Sequence, residues 1–540
     1  MISLFAASLF LGGLRDPRLA ALGEAAVFAA LWVERPLLGP AGAWLPWLAW
    51  AALSALSSPQ PLAALPFLAR WSAALAFFSL AAAWGPRERG AWLRTVLAVA
   101  AILAAAALWT GAPLGFRAEM TGLIPPYYNY TAFALAAASA AAAAWALHPS
   151  VERPELRAAG LAAAALGVAC LFLARSRGAC LGLTAAAAVW SVRRWGTKAA
   201  LIAAIAAGSA AGAFQANALP ASWRAVLVKR GRYQEARPEI WNRAAAMADG
   251  KPWFGEGPGD FGAAFRRRPV EVLGGAARWG MGTDYAHSEA LQAAAETGWA
   301  GLALWLIGLG ASLSVLLSRA RKEPAREAAA AAAVAMAVQL TVDNMLQIPG
   351  LALLFFSALA VAGADLPEGR RWPRRAAGAA FALALVSWIP RALANSSPAR
   401  AAALFPAESE PREDLASRAL AAGKWEEADA SLAQAERLSP FNAVYPWRRA
   451  LIAAERGRWD AAELFAARAA DLEPGFLNDR VLRAEALDRL GRTPDARREL
   501  AAVLRAFHER GNRLDSSGYD KTVWGFDLKE YERVAARADR

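Results

Sequence analysis

The residues of this chain best suited to chemistry are one histidine and a few arginines at the edges of apolar runs. His287 lies between Ala286 and Ser288 and is the only histidine of a long polar stretch, residues 217–296. An imidazole titrates near neutrality, so a histidine placed beside a hydroxyl can take its proton as the oxygen attacks. Arg177, between Ser176 and Gly178, opens an apolar run, and Arg237 precedes Pro238, a residue that favours the first turn of a helix. Guanidinium groups stay charged and offer paired donors, which suits both arginines to an oxyanion such as a phosphate.

Other chemistries find less support. Asp284 and Glu289 flank His287, but the two acids alone lack the ligand number and spacing of a metal site. The run Gly255, Glu256, Gly257, Pro258, Gly259 lacks the glycine spacing and the Lys-Ser/Thr ending of a phosphate loop, and is expected to be a tight turn. Cys170 and Cys180 have no partner pattern and are expected to be packing residues. Neither a metal nor an organic cofactor is expected.

Helices at or in a membrane must position these side chains. The 540 residues are 57% hydrophobic and 19% charged, with a mean hydropathy of +0.25, too apolar for an ordinary soluble enzyme. Alanine-rich runs of spanning length recur up to about Trp388, among them 43–57, 199–216 and 328–346. The net charge of +13 is concentrated at their ends, as topology signals require, which argues against a nucleic-acid partner. Arg87, Arg89 and Arg94, Arg153 and Arg157, Arg193 and Arg194, and Arg370 to Arg375 fall on alternate turns, while the turn at 58–63 has no Lys or Arg. By the positive-inside rule the arginine-rich side is cytoplasmic, and the Arg177 turn, the 217–296 stretch and everything after Arg391 face outward.

Beyond Asn395 the composition becomes that of soluble amphipathic helices with a repeat of 34 residues. Gly423-Lys424-Trp425 returns as Gly457-Arg458-Trp459 and Gly491-Arg492, in step with Ala428, Ala462 and Ala496 and with Pro440 and Pro474. This period and pattern are those of tetratricopeptide hairpins stacked into an α-solenoid.

The polar stretch resembles the outer loop of the O-antigen ligase and polymerase family. The matching residues are Arg237 with the nearby Trp241, then Pro252, Gly255, Gly257, Pro258, Gly259 and Phe261, then Ala286, His287 and Ser288, then Leu291, Gln292, Glu296 and Gly298. Ser176, Arg177, Gly178, Leu181 and Gly182 resemble a second element of the family upstream. Weaker fits lie at 129–134, beside Tyr128 and Asn129, and at Asp343 and Asn344; where the family often has Asn after the histidine, this chain has Ser288.

The resemblance implies an all-α, polytopic membrane bundle of the GT-C-like kind with about 12–13 spans, followed by the soluble repeat. The expected domains are a transmembrane part at 1–394 with a periplasmic loop at 217–296, a repeat domain at 399–510 and a tail at 511–540. It implies a metal-independent glycosyltransferase of the bacterial inner membrane. The donor would be an undecaprenyl-diphosphate-linked glycan, the acceptor lipid A core, a glycan or a protein, and an envelope protein would dock on the repeats.

His287 would take the acceptor's proton, and Arg177 and Arg237 would hold the diphosphate. Arg70, Arg243, Tyr128 and Asn129 would bind substrate, although Arg70 equally fits a side chain snorkelling to lipid and Arg243 a helical pair with Glu239. The three catalytic residues should converge on one outer-leaflet cavity. O-antigen polymerase and protein O-oligosaccharyltransferase are the near alternatives; a lipid-linked glycan transporter and a non-catalytic scaffold are the distant ones. The run Arg266, Arg267, Arg268 is expected to be a solvated face.

Overall fold

The computed structural model describes residues 2–10, 14, 16–111, 128–174, 176–197, 236–268, 283–319, 323–363, 370–473, 476–510 and 526–539. The apolar run at 199–216, the polar segments 217–235 and 269–282, Pro474 and most of the tail lie outside them. Among the described residues the secondary structure is helical, with one isolated backbone bridge, Leu37 to Arg371, and no strand. The chain divides into two compact units: Met1–Arg230, Ala248–Gly259 and Ala286–Ile389 form the first, and Gly231–Met247, Asp260–Tyr285 and Pro390–Arg540 the second.

The described helices of the first unit are α1 (Ile2–Phe10), α2 (Pro17–Glu34), α3 (Leu45–Leu56), α4 (Ala64–Ala82), α5 (Pro86–Gly111), α6 (Tyr128–Ala146), α7 (Pro154–Ala174) and α8 (Arg177–Trp195). Next come α9 (Ala236–Gly250) and α10 (Phe261–Arg266), which belong wholly or in part to the second unit. α11 (Glu289–Arg319), α12 (Pro324–Gln339), α13 (Pro349–Ala362) and α14 (Arg374–Ser387) then complete the first unit. Among the described residues four helical segments are long and apolar enough to cross a membrane: Pro61–Ala82, Pro154–Leu171, Glu289–Ser314 and Arg374–Ser396. The run expected at 43–57 is a 3-10 turn, Gly39–Trp44, leading into α3, and the run expected at 328–346 ends its helix at Gln339.

Small residues let these helices approach closely, the usual means of packing in an apolar solvent. A Cβ on Gly182 of α8 would lie 2.2 Å from the Ala335 carbonyl of α12, and one on Gly308 of α11 would meet the Trp44 ring at 2.7 Å. Trp44, Trp47, Trp71, Trp305 and Phe356 form an aromatic core in which each indole is edge-on or tilted to a neighbour. Serines accept from three buried indole N–H groups: Trp44 donates to Ser312 at 3.0 Å, Trp92 to Ser357 and Trp372 to Ser79, both at 2.9 Å. At the N-terminal end of α12, Glu323 pairs with Arg89 at 2.7 Å while Glu327 accepts from the Trp190 indole at 3.1 Å. The C-terminal end of α12 leads into a tight, non-helical turn at 340–348.

In the second unit α15 (Ile389–Ser396), which begins one residue earlier, and α16 (Pro398–Leu404) precede paired helices: α17 (Glu410–Ala421) with α18 (Trp425–Leu438), α19 (Val444–Glu455) with α20 (Trp459–Leu472), and α21 (Leu477–Arg489) with α22 (Thr493–Arg510); α23 (Leu528–Ala538) follows. One turn is built three times. Gly423, Gly457 and Gly491 all have φ near +70°, and the residue after each donates to a carbonyl five positions back: Lys424 to Ala419, Arg458 to Ala453 and Arg492 to Leu487. This helix stop needs glycine because the left-handed conformation crowds a Cβ. Ala428, Ala462 and Ala496 are fully buried where the second helix of each pair crosses the first. Arg449 with Asp429 and Arg483 with Glu463, at 2.8 and 3.1 Å, tie neighbouring pairs at the same repeat positions.

Asp479 of α21 is fully buried, and loss of water pushes its carboxyl well above the usual range despite the nearby Arg480. The folded form therefore holds a proton that the unfolded chain releases, so stability is greatest below the unfolded pKa and declines as pH rises through the window between the two values. Asp479→Asn should remove that dependence. Thermal unfolding should show a melting temperature raised by about 4 °C or more at neutral pH, with the difference vanishing near pH 3.

Candidate functional site

Tight constraint surrounds His287. Its backbone is left-handed, with φ +52°, a conformation that costs a side-chain-bearing residue about 1–2 kcal/mol. Hydrogen bonds on both sides impose it. The Ala286 amide donates to the Gln292 side-chain oxygen at 2.7 Å, the Ser288 amide to Asn344 Oδ1 at 2.9 Å, and the Glu289 amide to the Leu340 carbonyl at 2.9 Å. Ser288 also caps α11, its hydroxyl accepting from the Leu291 amide at 3.4 Å. Ser288 thus supplies a helix-capping oxygen at the position after His287. Backbone strain of this kind clusters at active sites, ligand clamps and switch regions.

The turn at 340–348 ties together elements far apart in sequence. Asn344 holds Ser288, and the Leu346 amide donates to the buried Glu289 carboxylate at 2.7 Å. Asp343 lies against the start of α8: a Cβ on Gly178 would come within 2.7 Å of its Oδ2, and Gln339 donates to that oxygen at 3.3 Å. Arg70 of α4 reaches the same turn, giving Nη2 to the Gln347 side-chain oxygen at 2.7 Å and Nη1 to the Gln347 carbonyl at 3.2 Å. The elements bearing Arg70, Arg177 and His287 therefore share one scaffold. Arg177 itself is exposed at the first position of α8, whose cap, Ser176, accepts from Ala179.

The glycine-rich run is a turn fitted to a break in α11. Gly255, Gly257 and Gly259 all have positive φ, and the Glu256 and Gly257 amides donate to the Ala295 and Glu296 carbonyls at 2.9 and 3.0 Å. Glu296 Oε1 collects the Gly259 amide at 3.2 Å and the Gln292 side-chain amide at 2.8 Å. At Gly298, φ 75° and ψ 174° interrupt the helix, and a Cβ there would stand 2.4 Å from the Pro252 carbonyl. Trp50 donates to the Trp253 and Thr297 carbonyls at 3.0 and 3.1 Å, and Ser54 bonds the Glu296 carbonyl at 2.9 Å, anchoring the joint on α3. Gln292, Glu296 and Gly298 thus link the turn to the His287 segment.

Gly298→Ala should cost about 3 kcal/mol, because those angles belong to glycine and the neighbouring carbonyl has nowhere to move. Gly250→Ala, with open space around it, should be neutral. Unfolding temperatures of the two purified variants check the contrast.

Arg237 is half-buried in the first turn of α9 and lies in the second unit, whereas Arg177 and His287 lie in the first. Arg243 bonds Glu239 one turn earlier at 3.1 Å, the local pair its spacing implies. Tyr128 and Asn129 open α6, and their side chains lie outside the described residues. Among the described residues no His, Cys, Asp and Glu cluster has the make-up of a metal site. Gln347 is a supporting residue that sequence reasoning passed over, whereas Gln292 and Asn344 were singled out as motif positions without the supporting role they have here.

Helices long and apolar enough to cross a membrane mark an integral membrane protein. Residues 162–306 match the family model described as O-antigen ligase, so this stretch of the chain is similar to that family. The match includes Arg177, Arg237, Arg243, His287 and the glycine-rich turn, and stops short of the 340–348 turn. No curated protein matches the chain.

Proposed function

We propose that this protein transfers a glycan from an undecaprenyl-diphosphate carrier to an acceptor hydroxyl at the periplasmic face of the bacterial inner membrane, with lipid A core as the acceptor. The observation that carries the reading is the forced left-handed backbone of His287 on the scaffold that also receives the start of the Arg177 helix. The acceptor oxygen attacks the anomeric carbon while its proton passes to the His287 imidazole. The bond from that carbon to the diphosphate oxygen breaks, and the electron pair leaves with the undecaprenyl diphosphate. Arg177 and Arg237 hold the charge that accumulates there.

Arg70, Arg243, Tyr128 and Asn129 would bind the carrier headgroup and the glycan. The three helix pairs with the repeated glycine stop are tetratricopeptide hairpins in the periplasm, a surface for an envelope protein. Purified protein in lipid vesicles, given the lipid diphosphate donor with lipid A core, free glycan or periplasmic protein, tests the reading. Product on lipid A core supports ligation, product on another acceptor reassigns the acceptor, and no product with any of them defeats the transferase.

A further inference from the structure

The arginine run expected to be a solvated face contains a bridging residue. Arg266, the last residue of α10, points Nη2 at Asp284 Oδ1, 3.0 Å away, and at Glu410 Oε1, 2.7 Å away. Glu410 is the first residue of α17, where the repeats begin, and the Ser439 hydroxyl after α18 reaches the Arg266 carbonyl at 3.5 Å. α10 is itself firmly set: Phe261 and Phe265 are buried and stacked at 5.6 Å, and Arg268 closes its end on the Ala264 carbonyl at 2.7 Å. Gly262 of the same helix meets Asp284 so closely that a Cβ would stand 2.5 Å from its carboxylate. All these residues lie within the second unit.

Asp284 stands three residues before His287 along the chain. We propose that Arg266 is a positioning residue through which the C-terminal repeats steady the segment that leads into His287. One guanidinium nitrogen is shared by a carboxylate of the repeats and a carboxylate of that segment, so the repeats restrain the approach to the site without touching substrate. The inference rests on the role proposed for His287. Arg266 is only 21% exposed whereas Asp284 and Glu410 are 66% and 49% exposed, so the effect belongs to the modest class of partly solvated ion pairs.

The test uses full-length protein in vesicles with the lipid diphosphate donor, comparing wild type, Arg266→Ala, Arg266→Lys, Glu410→Gln and His287→Ala. Arg266→Ala and Glu410→Gln should lower kcat about fivefold and leave the donor KM unchanged, and Arg266→Lys, which keeps a shared charged donor, should restore most of the rate. Amide hydrogen exchange over 283–288 should quicken in the two slow variants, a change that simple loss of folded protein would spread over the whole chain. Wild-type turnover and exchange in both Arg266→Ala and Glu410→Gln overturn the coupling, whatever His287→Ala does. Full turnover in His287→Ala overturns the functional reading instead.

Discussion

Replacing His287 with alanine is expected to lower glycan transfer by about 10²- to 10⁴-fold, the range of a lost general base. The fold should survive, because the bonds of the Ala286, Ser288 and Glu289 amides shape the segment and alanine at 287 leaves all three in place. His287→Gly makes a sharper test. Glycine accepts the +52° backbone angle without strain, so this variant should be as inactive as the alanine one yet at least as stable as wild type. Activity in vesicles and unfolding temperature in detergent, measured on the same preparations, separate the two quantities. An inactive but stabilised glycine variant would mark a residue kept for chemistry at the expense of stability; an active one would remove His287 from the mechanism.

Loss of the Arg177 guanidinium should be nearly as damaging, lowering kcat by about 10²- to 10³-fold, as when one donor to a developing anion is removed. Structural damage should be slight, since close approach locks the helix to α12 at Gly182 and to the turn beyond α12 at Gly178, and Arg177 itself is exposed. Arg177→Lys should recover only part of the rate, because an ammonium gives a point charge where a guanidinium gives a planar pair of donors. Single-turnover rates at saturating donor distinguish a lost transition-state contact from weaker donor binding. A change confined to KM would assign Arg177 to carrier capture and leave the departing diphosphate to Arg237.

Several features of the protein were legible in the sequence because they depend on neighbours within a turn or two. The helical class follows from apolar runs of spanning length, and the three repeated helix stops from glycines 34 residues apart. The pairing of Arg243 with Glu239 follows from one turn of helix, and the tight turn at 255–259 from its glycines. His287 stood out as well, being the single histidine of the 217–296 stretch and flanked by Ala286 and Ser288. Its left-handed backbone did not, because amides bonded to residues as distant as Asn344 impose it.

Only the tertiary structure decided that the helix after Pro324 stops at Gln339, that the turn beyond it gathers Arg70, Ser288, Glu289 and the start of α8, and that Arg266 bridges two carboxylates. The physical reason is the same in each case. Local sequence sets periodicity, caps and turns, but the partner of a buried amide or a half-buried guanidinium is chosen by which distant segments the packed helices bring within about 3 Å.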